Sequence, residues 1–285
     1  MGTEIVAKAA AIRRHPVSFL VKVLVIGSAL LTLSALMFLL IYIITNGVPH
    51  LKPSLFAWEY NSSNVSLMPA LINTLIIVGI SLAVTVPLGV FSAIYLCEYA
   101  KKGNKVVEIV RVTAETLSGI PSIVYGLFGL LLFVIYLGWG YSILAGSMTL
   151  SIMILPLIMR TAEEALLAIP NSYREASFAL GAGKLRTVFR IVLPPATPGI
   201  LSGVILGIGR IVGETAALIY TAGTVARIPD SIFSSGRTLA IHLYTLSSEG
   251  FHTNEAFATA VVLLIIVLLI NGLSGALARR LGKGN

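Results

Sequence analysis

Arg210 and Glu214 stand four residues apart inside an otherwise apolar run, Gly199 to Tyr220. On a helix that spacing puts both side chains on one face, and a charge held in hydrocarbon costs ~2.5–3.5 kcal/mol on insertion scales. Two chemistries remain open for such a pair. In one, Arg210 and Glu214 form a self-contained ion pair that pins the helix to a neighbour. In the other they line an anion pathway, because arginine stays charged and presents a planar fork of donors suited to a tetrahedral oxyanion. Glu214 would then hold Arg210 in place, accept a proton from the anion, or keep the site from binding its cargo too tightly to release it.

A second constellation is polar. Ser172 and Glu175 have the spacing of a capping box, Pro170 precedes them, and Gly181 and Gly183 follow. This pattern predicts a helix of about three turns lying outside any membrane. Lys184 to Val192 then places Leu185, Val188, Phe189 and Val192 on one face opposite Arg186 and Arg190, and Leu193-Pro194-Pro195 is expected to end that stretch. Taken alone, such a pair of short helices fits an element lying on lipid headgroups as well as one that docks a partner.

The third constellation is Ser118-Gly119-Ile120-Pro121-Ser122, where a proline-broken turn would expose backbone groups able to line a cavity. Pro87 and Pro156 also interrupt apolar runs and read as packing kinks. Gly199, Gly203, Gly207, Gly209 and Gly213 include four-residue spacings that let helix backbones approach closely.

Other chemistry is missing from the pattern. Gly183-Lys184 has Phe178 where a nucleotide-binding loop needs its first glycine, and no hydroxyl residue follows the lysine. No His-Glu-x-x-His run occurs, and no nucleophile has an evident base partner, so an intramembrane enzyme is not expected. His242 and His252 lack acidic or cysteine partners at ligand spacing and read as surface histidines; no metal site is expected. Cys97, the single cysteine, reads as a small core residue. Asn61-Ser62-Ser63 and Asn64-Val65-Ser66 match glycosylation acceptors, a pattern short enough to arise by chance.

The elements that must position these residues are membrane helices. Hydrophobic residues make up 56% of the chain and charged residues 11%, a balance far from that of water-soluble domains. Apolar runs of ~20 residues, the length that crosses a bilayer core, occur at Val23 to Ile44, Leu71 to Cys97, Thr113 to Leu137, Ile143 to Arg160, Gly199 to Tyr220 and Ala256 to Leu277. The net charge of +8 does not call for nucleic acid, because placing both termini in the cytoplasm puts 16 of the 20 basic residues on that side. Only Lys52, Arg227 and Arg237 fall outside, and Arg210 lies within a span. The expected organisation is an N-terminal cytoplasmic segment 1–22, a first transmembrane helix 23–44, an outer loop 45–67, a core domain 68–280 containing the cytoplasmic segment 161–198, and a tail 281–285. Thr221 to Glu255 forms a second long outer loop, and Gly138-Trp139-Gly140 a tight one.

Glu175-Ala176, Gly181 and Ile191-x-Leu193-Pro194 resemble the EAA signature of ABC importer permeases, with Ser177 in place of a usual alanine. The resemblance implies a coupling helix that fits a groove on a cytosolic ATPase, with Arg174, Glu175, Ala176, Gly181, Leu193 and Pro194 as the coupling residues. Arg210-Ile-Val-Gly-Glu214-Thr-Ala-Ala and Ser118-Gly-Ile-Pro121-Ser122-Ile-Val-Tyr125-Gly-Leu are similar to motifs of phosphate-specific (Pst) permeases. That similarity implies an all-α, six-helix type I (MetI-like) permease in a prokaryotic cell membrane, with Arg210, Glu214, Ser118, Pro121 and Ser122 along the substrate pathway. It also implies a second permease, two ATPase subunits carrying the ATP and magnesium, and an extracytoplasmic phosphate-binding protein; this chain would carry no cofactor. Other oxyanions, such as molybdate, sulfate or phosphonate, and a secondary transporter needing no ATPase, are the competing expectations.

Overall fold

The computed structural model describes residues 16–282 apart from Lys102, and every regular element among them is helical. Residues 1–15 and 283–285, with the basic Lys8, Arg13, Arg14 and Lys283 that the topology argument used, lie outside the described residues, as does Lys102.

Helix α1 (Pro16–Gly47) is an uninterrupted apolar rod that stands against the rest only at its far end. Its most apolar stretch buries nothing. At Gly47 an added Cβ would meet Val261 Cγ2 at 2.6 Å, so the absence of a side chain is what lets the rod touch the last helix. Tyr42 packs edge-on against Phe257 close by.

The body is built on α2 (Met68–Ile94) and α5 (Ile143–Leu167). Both keep their internal prolines, Pro87 and Pro156, without a break. Hydroxyls lock the pair from inside: Ser81 Oγ donates to the carbonyl of Ser147 at 3.1 Å, Ser151 Oγ to that of Ser81 at 3.3 Å, and Thr85 Oγ1 to that of Ser151 at 3.3 Å. In lipid, where apolar side chains give no drive to associate, such bonds and close packing hold helices together. Ile77, Leu150, Met153, Ile154 and Ile158 fill the space between them. A π-helical turn, Tyr95–Tyr99, extends α2.

The third span departs from expectation. In place of one helix from Thr113 to Leu137 the chain forms α3 (Lys105–Ser118) and α4 (Ser122–Gly129, continued by a π-helical stretch Leu130–Tyr136), bent by 103°. Gly119 can turn freely and Pro121 has no amide to continue α3, so the run breaks although its hydropathy does not. Positive φ angles at Gly138 (68°) and Gly140 (66°) then make the tight turn into α5.

After α5 come α6 (Asn171–Ala179), α7 (Lys184–Thr187) with a π-helical turn Val188–Val192, and α8 (Leu193–Val212). Leu193-Pro194-Pro195 does not end the amphipathic stretch: Lys184 to Val212 is one helical rod. Pro194 sits at the start of the α-helical part, and the wider π-helical turn before it absorbs the missing amides. The span itself ends at Val212, short of the expected Tyr220. Short α9 (Ala216–Ile219), α10 (Leu239–Glu249) and the long α11 (Thr253–Gly282) complete the chain. The second outer loop thus contains a helix of its own.

The glycines of α8 explain its seat. Cβ atoms on Gly199 and Gly207 would meet Ala165 Cβ at 2.7 Å and Ile154 Cγ2 at 3.2 Å, and one on Gly203 would collide with Thr161. Gly209 faces open space, and Gly213 meets only a carbonyl of its own helix.

Candidate functional site

Helix α6 starts two residues earlier than a Ser172 cap would place it, with Pro170 at the cap and no side chain capping it, so the Ser172–Glu175 box does not form. Arg174 supplies the anchoring instead. Its Nε and Nη2 donate to Glu98 Oε1 at 2.9 and 2.7 Å, and its guanidinium also donates to the carbonyls of Leu166 (3.0 Å) and Ile169 (2.8 Å) at the end of α5. The pair is largely shielded, the side chains being 15% and 7% exposed. Arg174 therefore turns inward, while Glu175, Ala176 and Gly181 lie exposed on the outer surface. Gly181 has φ 79°, a left-handed turn that suits glycine. Leu193 and Pro194 are half-buried, Leu193 against the apolar cluster below.

Ser177, the departure from the usual alanine, is buried and shares a hydrogen bond of 2.8 Å with Thr187 Oγ1, tying α6 to α7. Of the predicted apolar stripe, Val188 and Val192 are buried, whereas Leu185 and Phe189 face outward. With Tyr173, Phe178 and Leu180 also exposed, this end of the molecule shows an apolar surface around a concavity of about 670 Å³ lined by Ser172, Ala176, Leu180, Gly181 and Arg186.

Arg210 lies half-buried in the last turn of α8, and Glu214 lies just beyond the helix with its amide bonded to the Ile211 carbonyl at 3.1 Å. None of the ion pairs among the described residues joins them. Glu214 Oε1 accepts the Ala217 amide at 3.0 Å and so caps α9, while the carboxylate is nearly buried. Arg210 lies within electrostatic reach of Tyr125 on α4. A Cβ on Gly126 would stand 2.8 Å from Ala217 Cα, so the broken third span rests directly on the segment after Glu214. Ser118, Pro121 and Ser122 form the break itself, with Ser118 and Pro121 exposed and Ser122 half-buried. The Tyr125 hydroxyl donates to the Leu117 carbonyl at 2.7 Å across the bend and satisfies a group that the break frees. The fold thus brings the two separate sequence motifs together.

Two further groups were not singled out from the sequence. Arg111 pairs with Glu163 at 2.5 Å, and Arg160 with Glu164 at 3.1 Å and Glu115 at 4.0 Å, across a hollow of about 300 Å³ between α3 and α5. The acidic residues at Glu163 and Glu164, one helical turn beyond Arg160, were the available signal. At the opposite end Arg237 is 4% exposed, its guanidinium 4.6 Å from the Tyr60 ring centre, and its Nε and Nη2 find no partner among the described residues. His242 is not a surface histidine: it is fully buried on α10, edge-on to Tyr60. Burial, helped by the charge of Arg237, pushes its pKa down to about 3. His252 remains half-exposed, 3.7 Å from Glu255.

Residues 85–283 match the family described as "Binding-protein-dependent transport system inner membrane component". The chain belongs to this family. Among curated relatives, the probable ABC transporter permease protein YqgI of Bacillus subtilis is 38% identical, the match covering 81% of this chain and 84% of that protein. The phosphate transport system permease protein PstA 1 of Mycobacterium tuberculosis is 37% identical over 74% of this chain and 69% of that protein, and PstA of Haemophilus influenzae 32% identical over 86% and 87%. Among solved structures, the bacterial alginate ABC transporter in complex with alginate pentasaccharide-bound periplasmic protein matches with a TM-score of 0.67 at 16% identity, covering 96% of this chain and 98% of that one. The MetNI methionine ABC transporter in an inward-facing conformation matches with a TM-score of 0.62 at 22% identity, covering 75% and 94%. These two likenesses establish the importer permease fold. The chain is a membrane permease of an ABC importer, a transporter subunit.

Proposed function

We propose that this permease carries phosphate, as part of an ATP-driven importer in which it pairs with a second permease, two cytosolic ATPase subunits and an extracytoplasmic phosphate-binding protein. The observation that carries the reading is Arg210: a half-buried guanidinium with no carboxylate paired to it among the described residues, next to a broken span, in a chain whose relatives include phosphate permeases over most of their length. Helix α4 also directs its N-terminal end, at Pro121 and Ser122, to the broken turn, and such ends favour anions through their free amides.

The α6 end is then cytoplasmic, as the excess of basic residues favours, and both termini lie on that side. Glu175, Ala176 and Gly181 face the ATPase, with the apolar residues around the concavity supplying contact area. Arg174, Leu193 and Pro194 act from behind that surface by holding it in place. Alternating access follows: the docked binding protein releases phosphate between the two permeases, closure of the ATPases opens them outward, and hydrolysis resets them inward. This chain binds no nucleotide of its own.

The test is to purify the intact complex, identify its partners, and measure ATP hydrolysis and uptake in proteoliposomes with phosphate, sulfate, molybdate and phosphonate as competing cargoes. Phosphate alone should stimulate both. Stimulation by another oxyanion with none by phosphate would move the cargo, and uptake persisting without any ATPase subunit would remove the importer mechanism from this chain.

A further inference from the structure

Helix α2 with its terminal π-helical turn is gripped at both ends by parts of the chain far away in sequence. At the cytoplasmic end the two flanks of the coupling segment hold successive residues: Arg174 binds Glu98 through two nitrogens, and Lys184 Nζ stands 5.0 Å over the Tyr99 ring. Glu98 is 7% exposed, so water competes little for this charge-assisted contact. At the outer end Asn73 Nδ2 donates to the carbonyls of Arg227 (3.0 Å) and Arg237 (3.1 Å), and Thr74 Oγ1 accepts the amide of Leu239 at 2.9 Å. Both side chains are buried. These contacts fasten the second outer loop at Arg227 and again at Arg237 and Leu239, and between the two ends α2 is continuous, Pro87 included, and zipped to α5 by serine and threonine hydroxyls.

We propose that Glu98 and Tyr99 are positioning residues through which displacement of the coupling segment enters α2, and that Asn73 and Thr74 deliver it to the outer loop. This rests on the reading of α6 as the ATPase-docking helix. A helix fixed at both ends moves as a body, so the ATPase state and the second outer loop, the surface we assign to the docked binding protein because it is the long extracytoplasmic segment held by α2, report to each other through it. Linkage requires that coupling to act in both directions on the affinities for the two partners. Glu98 and Tyr99 touch the back of the coupling segment and leave its exposed face unchanged.

The experiment uses the whole complex in proteoliposomes with wild type, Glu98→Ala, Glu98→Gln, Tyr99→Leu and, at the other end, Thr74→Val. Three quantities are read: assembled complex, ATP hydrolysis without binding protein, and hydrolysis stimulated by phosphate-loaded binding protein. Assembly and basal hydrolysis should stay near wild type, while stimulation falls about tenfold in Glu98→Ala, a typical size for coupling between sites. Glu98→Gln, which keeps the acceptor, should retain part of it, and Tyr99→Leu and Thr74→Val should each lose part. Variants that assemble and keep full stimulation overturn the proposal, and so does a proportional fall of all three quantities, which marks a purely structural role. If Glu98→Ala does not assemble, the half-exposed Tyr99 decides: Tyr99→Leu with full stimulation overturns the proposal. A wild-type complex without phosphate-stimulated hydrolysis overturns the functional reading itself, a failure visible before any variant is compared.

Discussion

The Glu214 carboxylate accepts the amide of Ala217 at 3.0 Å, and in doing so turns away from the arginine one helical turn before it. The two charges that read from the sequence as a pair therefore have separate tasks. Glu214 starts α9, against which Gly126 of the broken span packs, and among the described residues Arg210 has no carboxylate partner.

Arg210→Ala should abolish phosphate uptake with the complex still assembled, because no described ion pair is broken. Glu214→Ala should instead cost about 0.5–2 kcal/mol, the usual loss for a removed helix cap. Uptake and thermal melting of the purified complex separate the two. Unimpaired flux in Arg210→Ala would make Arg210 a packing residue.

Glu175→Lys should abolish phosphate-stimulated ATP hydrolysis and uptake while membrane insertion persists, since the side chain is exposed and forms no ion pair among the described residues. Normal stimulation in that variant would remove Glu175 from the docking surface.

The glycines of α8 divide into two sets. Gly203→Ala forces a Cβ into Thr161 and should cost roughly 1–3 kcal/mol, the range for overpacking a close contact. Gly209→Ala meets nothing within 4 Å and should melt at or slightly above the wild-type temperature. Equal melting of both variants would count against the α5–α8 seam.

His242 makes stability depend on pH. Its pKa in the fold is about 3 against an unfolded value of 6.5, so between those limits the unfolded chain binds the extra proton. Stability is then full above about pH 6.5 and falls by up to about 1.4 kcal/mol per pH unit as pH drops toward 3. The melting temperature of His242→Gln should show less of this slope. A slope unchanged from wild type would assign it to other groups.

Much of the fold was legible because lipid imposes a simple demand, an apolar run of fixed length: four of the six expected runs form continuous helices, and the fifth does so as far as Val212. The third does not, since its apolar run crosses Gly119 and Pro121 without a change in hydropathy, and a break chosen by backbone chemistry leaves no mark on an average. Leu193-Pro194-Pro195 misled in the opposite sense: a π-helical turn shifts the hydrogen-bond register and lets the helix continue through them. The α6 segment was legible as an exposed, punctuated element, and the broken span as a neighbour of nothing in particular. Its contact with the Glu214 cap, the Arg174–Glu98 clamp and the burial of His242 join residues far apart in sequence, and local spacing carries no record of such meetings.

Helix α1 lends no side chain to the core over its most apolar stretch, and the interior backbone groups of a helix are paired within the helix itself. A segment that meets the rest only near Tyr42 and Gly47 can enter a bilayer before its partner helix is there to receive it. The basic residues beside such a segment bias the direction in which it is threaded, so a part of the protein little involved in holding the finished shape bears on which way the transporter faces.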